Sequence, residues 1–293
     1  MSNNLKVSVI VPVWNDPKRI VKCVEALKNQ TMPFEHYEII VVDNGSTDET
    51  YSVIQQIEGI TALQEFGAGS YAARNAALDL AKGEYVAFTD ADCIPDSCWV
   101  KSLVECAEKS PDFGVIAGEV NFFKDPDDNV ENAAIAYESL FSMNQKAYAL
   151  QGVCITANWL SKREVILNHG GFNSRVKSGG DHEMANRLTT SGLNVVYCPQ
   201  ALVLHPARNY TEIMKKRRRV IGGTWDKTES NAKVLKLIWQ AIKLYIKRTL
   251  IIIGTNKISI KQKFSVFHVI SSIFFVSMSE IYKLSSGHQS TRS

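Results

Sequence analysis

The chain has 293 residues, of which 45% are hydrophobic and 22% charged, with 17 glycines and 8 prolines. These proportions exclude collagen-like, low-complexity and disulfide-scaffold proteins, and the length allows one large domain or two modest ones. The formal net charge of +3 conceals two halves of opposite sign: residues 1–205 carry 16 Lys or Arg against 26 Asp or Glu, and residues 206–293 carry 17 against 4. This division predicts two separate roles along the chain.

The first half of the chain alternates between strand and helix signals. Apolar runs rich in β-branched residues predict strands, and apolar residues at helical spacing predict the helices between them. The predicted strands are Lys6–Val11, Tyr37–Val42, Ile60–Phe66, Glu84–Thr89 and Gly114–Phe122, with helices that start near Asp16, Thr47 and Ser70. Strands that are apolar throughout indicate an α/β fold with a mostly parallel sheet covered on both faces. Ligands of such sheets bind beyond the carboxyl ends of the strands.

After Asn121 the alternation fades and the composition changes. The predicted elements are helices over Val130–Tyr148 and Glu183–Thr190, apolar runs at Leu193–Tyr197 and Ala201–Leu204, and long apolar-periodic segments at roughly 233–253 and 258–284. We therefore predict a catalytic domain over residues 1–210, a basic amphipathic helical extension over 211–284 and a disordered tail over 285–293. The six cysteines form no CxxC pair and no secretory signal precedes Val7, so we expect a cytoplasmic protein.

Acidic residues follow directly after two of the predicted strands. Asp90-Ala91-Asp92 follows the fourth strand, and Asp43-Asn44-Gly45-Ser46 follows the second. Two carboxylates at i and i+2 in an extended turn can reach one cation, and their oxygens suit Mg²⁺ or Mn²⁺. Both clusters also fit a simpler role, because Asp is common in turns and as a helix cap. The long buried strand before Asp90 favours the metal site.

A glycine motif before the third helix imitates a dinucleotide-binding fingerprint. Residues 67–72 match GxGxxA, and Asp90 follows about twenty residues later. Two strand–helix units precede the motif, whereas the fingerprint normally opens the fold, and the strand before it contains Thr61, Gln64 and Glu65. The sequence has no P-loop, no GxSxG elbow and no Cys/His cluster with zinc spacing. A dehydrogenase is therefore disfavoured.

Two groups of motifs follow one another along the first 210 residues. The first group is Val7–Asn15 (VSVIVPVWN), Ile40–Asp48 (IVVDNGSTD), Ala73-Arg74-Asn75, Ala81–Tyr85 (AKGEY) and Phe88–Cys93 (FTDADC). The second is Gly170-Gly171-Phe172, Gly180-Asp181 with Arg187-Leu188, and Tyr197–His205 (YCPQALVLH). In order and spacing these blocks resemble the donor-side and acceptor-side motifs of family 2 glycosyltransferases with the GT-A fold. The resemblance covers about residues 5–210.

The resemblance implies a Rossmann-like GT-A domain that binds a nucleotide sugar. It also implies a metal-dependent, inverting transfer of a sugar, with a UDP sugar expected, to a hydroxyl group of a glycan or lipid-linked acceptor in cell-surface polysaccharide or glycolipid synthesis. Many family members have Glu-Asp where this chain has Gly180-Asp181, so only the aspartate carries over. The Gln-x-x-Arg-Trp motif of processive synthases is missing, which favours the addition of one sugar per binding event.

By the same resemblance, donor and metal roles fall on residues after the first four strands. Asp43 would accept the ring N–H of a uracil-like base, and Trp14 lies where the family often has an aromatic side chain against the base, although simple packing also explains this tryptophan. Arg74 would face the phosphates or brace the loops. The donor-binding set is Pro12, Trp14, Asn15, Asp43, Gly69, Arg74, Asp90 and Ala91. Mn²⁺ or Mg²⁺ would be held by Asp90, Asp92 and His205. His205 has a structural alternative, as a histidine at a strand end whose ring nitrogens are hydrogen-bonded within the protein.

Asp181 is the candidate general base on the acceptor side. An inverting displacement needs one carboxylate near the acceptor hydroxyl, on the face opposite the leaving group. Glu183 is the fallback, with a helix-cap role as its alternative. Trp159 is a candidate platform for sugar stacking, and burial in the core is its alternative. The acceptor-binding set is Trp159, His182 and Glu183.

Two other function classes compete with a glycosyltransferase. An inactive sugar-nucleotide-binding or scaffold protein would keep the fold, but it would not need to hold Asp90, Asp92 and Asp181 together. A nucleic-acid binder would use the basic half of the chain, but the apolar residues interleaved with the basic ones favour a membrane surface.

The basic extension predicts helices that lie on an anionic membrane surface. Lys233, Lys236, Lys243 and Lys247 recur at helical spacing with apolar residues between them. Residues 264–278 form an apolar segment shorter than the ~20 residues that a membrane span needs. We therefore expect a peripheral protein on the cytosolic face of the membrane, bound through residues 230–284. A helix packed on the catalytic domain or in a homodimer is the alternative.

Overall fold

The computed structural model describes residues 5–176, 178–229 and 232–290. Its strands are β1 (Val7–Val13), β2 (Tyr37–Asp43), β3 (Thr61–Gln64), β4 (Tyr85–Phe88), β5 (Ile94–Pro95), β6 (Phe113–Phe123), β7 (Trp159–Lys162) and β8 (Asn194–Pro206). Its helices are α1 (Pro17–Lys28), α2 (Thr50–Gln55), α3 (Ser70–Leu80), α4 (Trp99–Glu108), α5 (Asn132–Phe141), α6 (Gln145–Ala149), α7 (Arg163–Asn168), α8 (Gly180–Thr190), α9 (Tyr210–Lys227), α10 (Lys233–Gly254) and α11 (Ile260–Ser285).

Contacts between Cα atoms divide the chain into two units. Met1–Asn121 and Met143–His205 form the first, which we call the sheet unit, and Phe122–Ser142 and Pro206–Ser293 form the second, which we call the helical unit. The chain passes between the two units three times, and the third passage, between His205 and Pro206, lies near residue 210. The division also assigns residues 122–142 to the C-terminal helices, which the sequence pattern does not indicate.

The sheet has the strand order β3-β2-β1-β4-β7-β6-β8-β5. The pairs β1–β2, β2–β3 and β1–β4 are parallel, as predicted, and helices α1, α2 and α3 provide the crossovers that parallel pairing requires. β7 pairs antiparallel with both β4 and β6, and β5 pairs antiparallel with β8. The α/β class is confirmed, and the sheet is parallel in its first half and mixed as a whole.

The parallel strands are apolar throughout because helices cover both faces of the sheet. Val7, Val9 and Val11 of β1 face a core formed with α1 and α4, whereas Ile10 faces a core formed with α3 and α8. Burial of successive residues on opposite faces is what a continuous apolar strand predicts. Asp16 caps α1 by accepting a hydrogen bond from the Arg19 backbone N–H at 3.2 Å.

Several segments differ from the sequence prediction. The predicted helix Val130–Tyr148 is two helices, α5 and α6, separated at Met143, which has a φ of 50°. The apolar runs 193–197 and 201–204 belong to one strand, β8. Strands β5 and β7 and helices α4 and α7 were not predicted. Periodicity does not reveal the break between α5 and α6, because apolar spacing continues across it while a single backbone turn redirects the chain.

The helical unit has its own apolar core. Its buried residues include Val130 just before α5, Ala134 of α5, Ile213 of α9, Ile252 of α10 and Val269 of α11. By length and composition α11 could cross a membrane, with a mean hydropathy of 1.6, but core helices pass the same test. Within the predicted tail, Ser290 donates a hydrogen bond to Asp226 at 2.8 Å, and residues 291–293 lie outside the described residues.

Candidate active site

Asp43, at the carboxyl end of β2, is a buried carboxylate with one unused oxygen. Its Oδ2 accepts hydrogen bonds from the Ser46 backbone N–H at 3.1 Å and from Gln64 Nε2 at 3.2 Å. Its Oδ1 is buried and has no hydrogen-bond partner among the described residues. A buried acceptor without a partner costs free energy, so it marks a place where a ligand donor fits.

Asn15 ties the loop after β1 to the loop after β2. Its backbone N–H donates to Ser46 Oγ at 2.9 Å, and its Oδ1 accepts from the Thr47 N–H at 2.8 Å. These contacts hold Asn15 at a φ of 50°, a conformation that asparagine tolerates better than most residues. The adjacent Trp14 is 62% exposed, so its ring is available to a ligand, whereas Pro12 is buried inside β1.

The glycine motif forms a third loop at the same edge of the sheet. Asn44 Nδ2 donates to the Gly67 carbonyl at 2.7 Å, and Asn44 Oδ1 accepts from the Gly69 N–H at 3.0 Å. Gly69 has a φ of 100°, which only glycine adopts readily, and α3 begins at the next residue. Asn44 therefore fixes this loop against the end of β2.

Asp90, Asp92, Cys93 and His205 form the acidic cluster. One ligand atom from each of these residues lies within 4.8 Å of the others. The antiparallel pairing of β5 with β8 sets Ile94 opposite Leu204, so His205 stands beside the Asp90–Cys93 turn. His205 Nε2 lies 3.7 Å from Asp92 Oδ1, and the imidazole is buried. Within the described residues this is the group that could hold a metal ion.

The donor set of the cluster fits a hard divalent cation. Carboxylate oxygens from Asp90 and Asp92 with one imidazole nitrogen suit Mn²⁺ or Mg²⁺ better than they suit a soft metal. Burial and the two neighbouring carboxylates raise the pKa of the Cys93 thiol well above its usual value. Ala91, between the two carboxylates, is nearly buried in the turn that the Cys93 N–H closes on the Asp90 carbonyl.

Arg74 of α3 braces the acidic turn. Its Nη2 lies 2.5 Å from Asp90 Oδ1, and the side chain is 2% exposed. Of the two roles predicted for Arg74, the structure shows the bracing contact. The Arg74 guanidinium already pairs with the Asp90 carboxylate. Asp92 and His205 are therefore better placed than Asp90 for direct contact with a metal ion.

Asp181, in the first turn of α8, contacts Tyr71 of α3. The Tyr71 hydroxyl donates to Asp181 Oδ1 at 3.2 Å and accepts from the Gly180 backbone N–H at 3.0 Å. Burial, and next the charge of Asp181, raise the pKa of Tyr71 to about 12, so the phenol remains a donor at neutral pH. The Arg74 guanidinium lies 5.9 Å from the centre of the Tyr71 ring. Contacts therefore run from Asp90 through Arg74 and Tyr71 to Asp181.

The absence of a side chain at Gly180 is explained by the same tyrosine. A Cβ atom at this position would lie 2.8 Å from Tyr71 Cε2, which is closer than real Cβ contacts. The Tyr71 ring also stacks on Phe172, with centroids 5.9 Å apart. The Tyr71 ring thus occupies the space that a side chain at residue 180 would need. Sequence reasoning missed the contact of Tyr71 with Asp181, although Tyr71 lies within the glycine motif of residues 67–72.

The acceptor-side residues take different positions. Glu183 Oε1 lies 2.9 Å from Arg187 Nε, and Arg187 also donates to the Gly171 carbonyl at 2.6 Å. The His182 ring meets Tyr148 edge-on at 5.1 Å. His182 and Glu183 line a shallow depression of about 490 Å³ along α8.

Trp159 is not placed to stack on a sugar. The side chain is 0% exposed, its Nε1 donates to Ser161 Oγ at 2.7 Å, and its ring packs against Phe172. A sugar needs an exposed ring face, so the predicted acceptor role of Trp159 is wrong and its core alternative is correct.

Known proteins share both the sequence pattern and the fold. The model of the family "Glycosyl transferase family 2" matches residues 8–170. Glycosyltransferase AglE of Haloferax volcanii is 33% identical over 220 residues, which cover 73% of this chain and 71% of that protein.

Among solved structures, the mannosyltransferase PcManGT of Pyrobaculum calidifontis, in complex with GDP-Man and Mn²⁺, matches with a TM-score of 0.57 at 19% identity. The match covers 97% of this chain and 76% of that chain. S. aureus TarS 1–349 in complex with UDP-GlcNAc matches with a TM-score of 0.55 at 15% identity over 97% of this chain and 92% of that chain. At these identities, the two structures show that the fold is shared.

Proposed function

The chain belongs to glycosyltransferase family 2, and on that premise we propose that it transfers one sugar per binding event from a nucleoside diphosphate sugar to a hydroxyl group, with inversion at the anomeric carbon. The observation that carries the proposal is the run of contacts from Asp90 through Arg74 and Tyr71 to Asp181. It links the acidic cluster to a carboxylate on a separate helix. A two-substrate transfer needs both groups.

The nucleotide end of the donor would bind at the ends of β1 and β2. The unpaired Asp43 Oδ1 can accept the ring N–H of uracil, which favours a UDP sugar. The exposed Trp14 offers a ring face to the base. The two solved neighbours are in complex with GDP-Man and UDP-GlcNAc, respectively, which supports a nucleotide-sugar donor for this chain.

The diphosphate would lie at the acidic cluster. Asp92 and His205 would hold Mn²⁺ or Mg²⁺ directly, and Asp90 would remain paired with Arg74. When bound, the cation supplies positive charge against the leaving diphosphate. The loop that ends at Gly69 presents backbone beside this edge of the sheet.

Asp181 would act as the general base. It would accept the proton of the acceptor hydroxyl while that oxygen forms a bond to the anomeric carbon. The bond from the anomeric carbon to the diphosphate oxygen breaks at the same time, and its electron pair leaves with the nucleotide. Tyr71 would hold the Asp181 carboxylate in position through its hydrogen bond. Glu183, the alternative base, forms an ion pair with Arg187 and is therefore less suited to accept a proton.

The helical unit would place the enzyme on an anionic membrane surface. Apolar side chains on one face of α10 are exposed at helical spacing: Leu235, Trp239, Ile246, Leu250 and Ile253. Residues 232–279 contain eight Lys or Arg and no Asp or Glu. A lipid-linked or surface-glycan acceptor in the synthesis of a cell-surface polysaccharide fits this location, and a cytosolic active site fits the supply of nucleotide sugars.

The test incubates the protein with a panel of UDP, GDP and CDP sugars and Mn²⁺. The release of free nucleotide and the shift in melting temperature are measured for each donor. One nucleotide class should raise the melting temperature and give nucleotide release, and NMR of the product should show an inverted anomeric configuration. Binding without any release of nucleotide would support the inactive scaffold. A retained configuration would contradict the inverting mechanism.

A further inference from the structure

Tyr148 of α6 lies beside the first turn of α8, and its side chain is half-exposed. Its ring meets the His182 ring edge-on, with centroids 5.1 Å apart and an angle of 67° between the two planes. His182 directly follows Asp181, and its backbone N–H donates to Asp181 Oδ1 at 2.9 Å. Through His182, a partly exposed ring therefore stands next to the proposed general base.

The position of Tyr148 is fixed by the packing of α6. Gln145, in the first turn of this helix, is buried, and its Nε2 donates to the Asn158 carbonyl at 2.8 Å. Its Oε1 accepts from the Ile155 N–H at 3.2 Å. The Tyr148 carbonyl itself accepts from the Val153 N–H at 3.0 Å. The ring is therefore held in place before any ligand binds, which lowers the entropic cost of binding.

The loop after α6 packs against α8 as well. Gly152 has a φ of 70°, and a Cβ atom at this position would lie 3.3 Å from Thr189 Cγ2 of α8. Burial raises the pKa of the Cys154 thiol, and the nearby charge of Asp181 raises it further. Helix α6 and the loop after it therefore lie along α8, close to Asp181.

The depression along α8 starts at the same histidine. The described side chains that line it are His182, Glu183, Asn186, Arg187 and Thr190. Its volume of about 490 Å³ lies within the range of ~300–1,000 Å³ that is typical of small-molecule sites. Glu183 and Arg187 form an ion pair, so their charges offset each other. Imidazole, amide and hydroxyl groups around a compensated ion pair suit the hydroxyl groups of a neutral sugar better than they suit a phosphate.

A ring beside such hydrogen-bonding groups matches the surface of a pyranose. One face of a pyranose presents C–H groups that pack on an aromatic ring, and its hydroxyl groups need donors and acceptors around the rim. Trp159, the ring that the sequence predicts for this role, is 0% exposed, whereas the Tyr148 side chain is accessible. An acyclic polyol phosphate has no flat apolar face and carries a charge, so it fits this surface less well.

We propose that Tyr148 is the ring on which the acceptor sugar stacks, with His182 and Asn186 forming hydrogen bonds to its hydroxyl groups. The acceptor would then end in a pyranose and not in an acyclic polyol phosphate. The proposal rests on the proposed function and adds to it the chemical class of the acceptor and a residue that binds it.

The test measures the binding of small acceptor probes by saturation-transfer NMR in the presence of UDP and Mn²⁺. The probes are the methyl pyranosides of glucose, galactose and N-acetylglucosamine, with ribitol phosphate as the acyclic comparison. We expect at least one pyranoside to bind, with the strongest saturation at the C–H protons of one ring face, because these protons would lie on Tyr148. Failure of every pyranoside to bind, whether or not ribitol phosphate binds, would overturn the proposal.

Substitutions separate the role of the ring from that of the fold. Tyr148→Phe keeps the ring and should bind the pyranoside within about twofold of wild type, whereas Tyr148→Ala should lose about tenfold in affinity. Asn186→Ala changes an exposed side chain of the depression and should lose about fivefold, because its hydrogen bonds to the sugar disappear. Phe34→Ala, the matched control, removes an exposed ring just before β2 and should bind like wild type. Equal losses in Tyr148→Phe and Tyr148→Ala, or in Phe34→Ala and Tyr148→Ala, would contradict the stacking role.

The melting temperature and the affinity for UDP are measured for each variant. Both should stay close to the wild-type values, because neither Tyr148 nor Asn186 belongs to the groups proposed for the donor. A variant that loses UDP binding together with pyranoside binding would contradict a role confined to the acceptor. If Tyr148→Ala does not fold, Asn186→Ala still decides the test, because unchanged pyranoside binding in that variant contradicts the proposal.

Nucleotide release by the same wild-type preparation distinguishes this proposal from the proposed function. A protein that binds a pyranoside with the loss expected for Tyr148→Ala, but releases no nucleotide from any sugar donor, contradicts the proposed transfer and supports the sugar site. A protein that releases nucleotide but binds no pyranoside contradicts the sugar site alone.

Discussion

Asp92 is the residue of the acidic cluster best placed to contact a metal ion. Arg74 occupies Asp90 at 2.5 Å, whereas Asp92 faces the imidazole of His205 at 3.7 Å. Asp92→Asn keeps the size of the side chain and removes its charge, so the turn should remain folded. Transfer should fall by roughly 10² or more, since charge on the leaving group is no longer offset. Full activity of the wild type in excess chelator would contradict the metal role.

Asp181 and Glu183 differ in what surrounds their carboxylates. Asp181 accepts from a tyrosine hydroxyl, while Glu183 is paired with Arg187. Asp181→Asn preserves the acceptor oxygen for Tyr71 and should bind the donor normally, yet lose transfer by ~10² to 10⁴. Glu183→Gln should lower the melting temperature, because the ion pair with Arg187 is lost, and should leave the rate of transfer nearly unchanged. The opposite pattern of rates would place the base two residues downstream.

In the proposed mechanism, Tyr71 positions the Asp181 carboxylate through a hydrogen bond. Tyr71→Phe removes the hydroxyl that bridges Gly180 and Asp181, and it keeps the ring that stacks on Phe172. We expect kcat to fall roughly tenfold with little change in the KM for the donor, because one hydrogen bond of the base is lost. The matched control is Tyr37→Phe, which loses a hydroxyl bond of 2.7 Å to the Leu27 carbonyl far from these residues. If both variants change only the melting temperature, Tyr71 has a structural role.

At the scale of elements, α3 joins the acidic cluster to Asp181, the proposed general base. Within five residues it carries Tyr71 against the start of α8, Arg74 against Asp90 and Asn75 against the backbone of Phe172. Positions 71, 74 and 75 share one helix face, since residues three and four apart are neighbours. The loop before α3 is held by Asn44, so a shift of this helix would disturb both substrates together.

The junction of α3 with α8 should tolerate no side chain at residue 180. Gly180→Ala would place a Cβ at 2.8 Å from the Tyr71 ring, and such overpacking costs about 1–3 kcal/mol. The melting temperature should fall by roughly 2–4 °C for each kcal/mol. In a Tyr71→Ala background the ring is gone, so the same substitution should have little effect. Additive losses in the double variant would argue against this contact.

At the scale of the whole molecule, the basic half predicts membrane binding that depends on salt. The Debye length shrinks from about 10 Å at 0.1 M to about 3 Å at 1 M, so attraction to an anionic surface weakens. Flotation on vesicles with phosphatidylglycerol should fall several-fold over that range and be weak on phosphatidylcholine alone. Binding that is equal on both vesicle types and insensitive to salt would contradict an electrostatic surface.

Deletion of residues 230–293 is a poor test of membrane binding. Residues 122–142 belong to the helical unit, and Val130, Ala134 and Tyr137 pack in one core with α9, α10 and α11. Removing α10 and α11 would expose this core, and aggregation would then imitate lipid binding. Single substitutions on the exposed faces keep the core intact.

Local pattern by itself determined strands β1 to β4 and β6, helices α1 to α3, and the position of Asp90 and Asp92 after a buried strand. These features depend on burial of successive residues and on caps, which neighbouring residues encode. The order of the motifs also identified the family, because motif order is a property of the linear sequence and needs no tertiary structure.

Tertiary structure alone decided which distant residues meet. The pairing of β5 with β8 brings His205 to Asp92, and the packing of α3 on α8 joins Tyr71 to Asp181 across 110 residues. It also buried Trp159 and assigned residues 122–142 to the helical unit. Strand register and helix packing depend on the complementarity of whole surfaces, and no local spacing in the sequence records that complementarity.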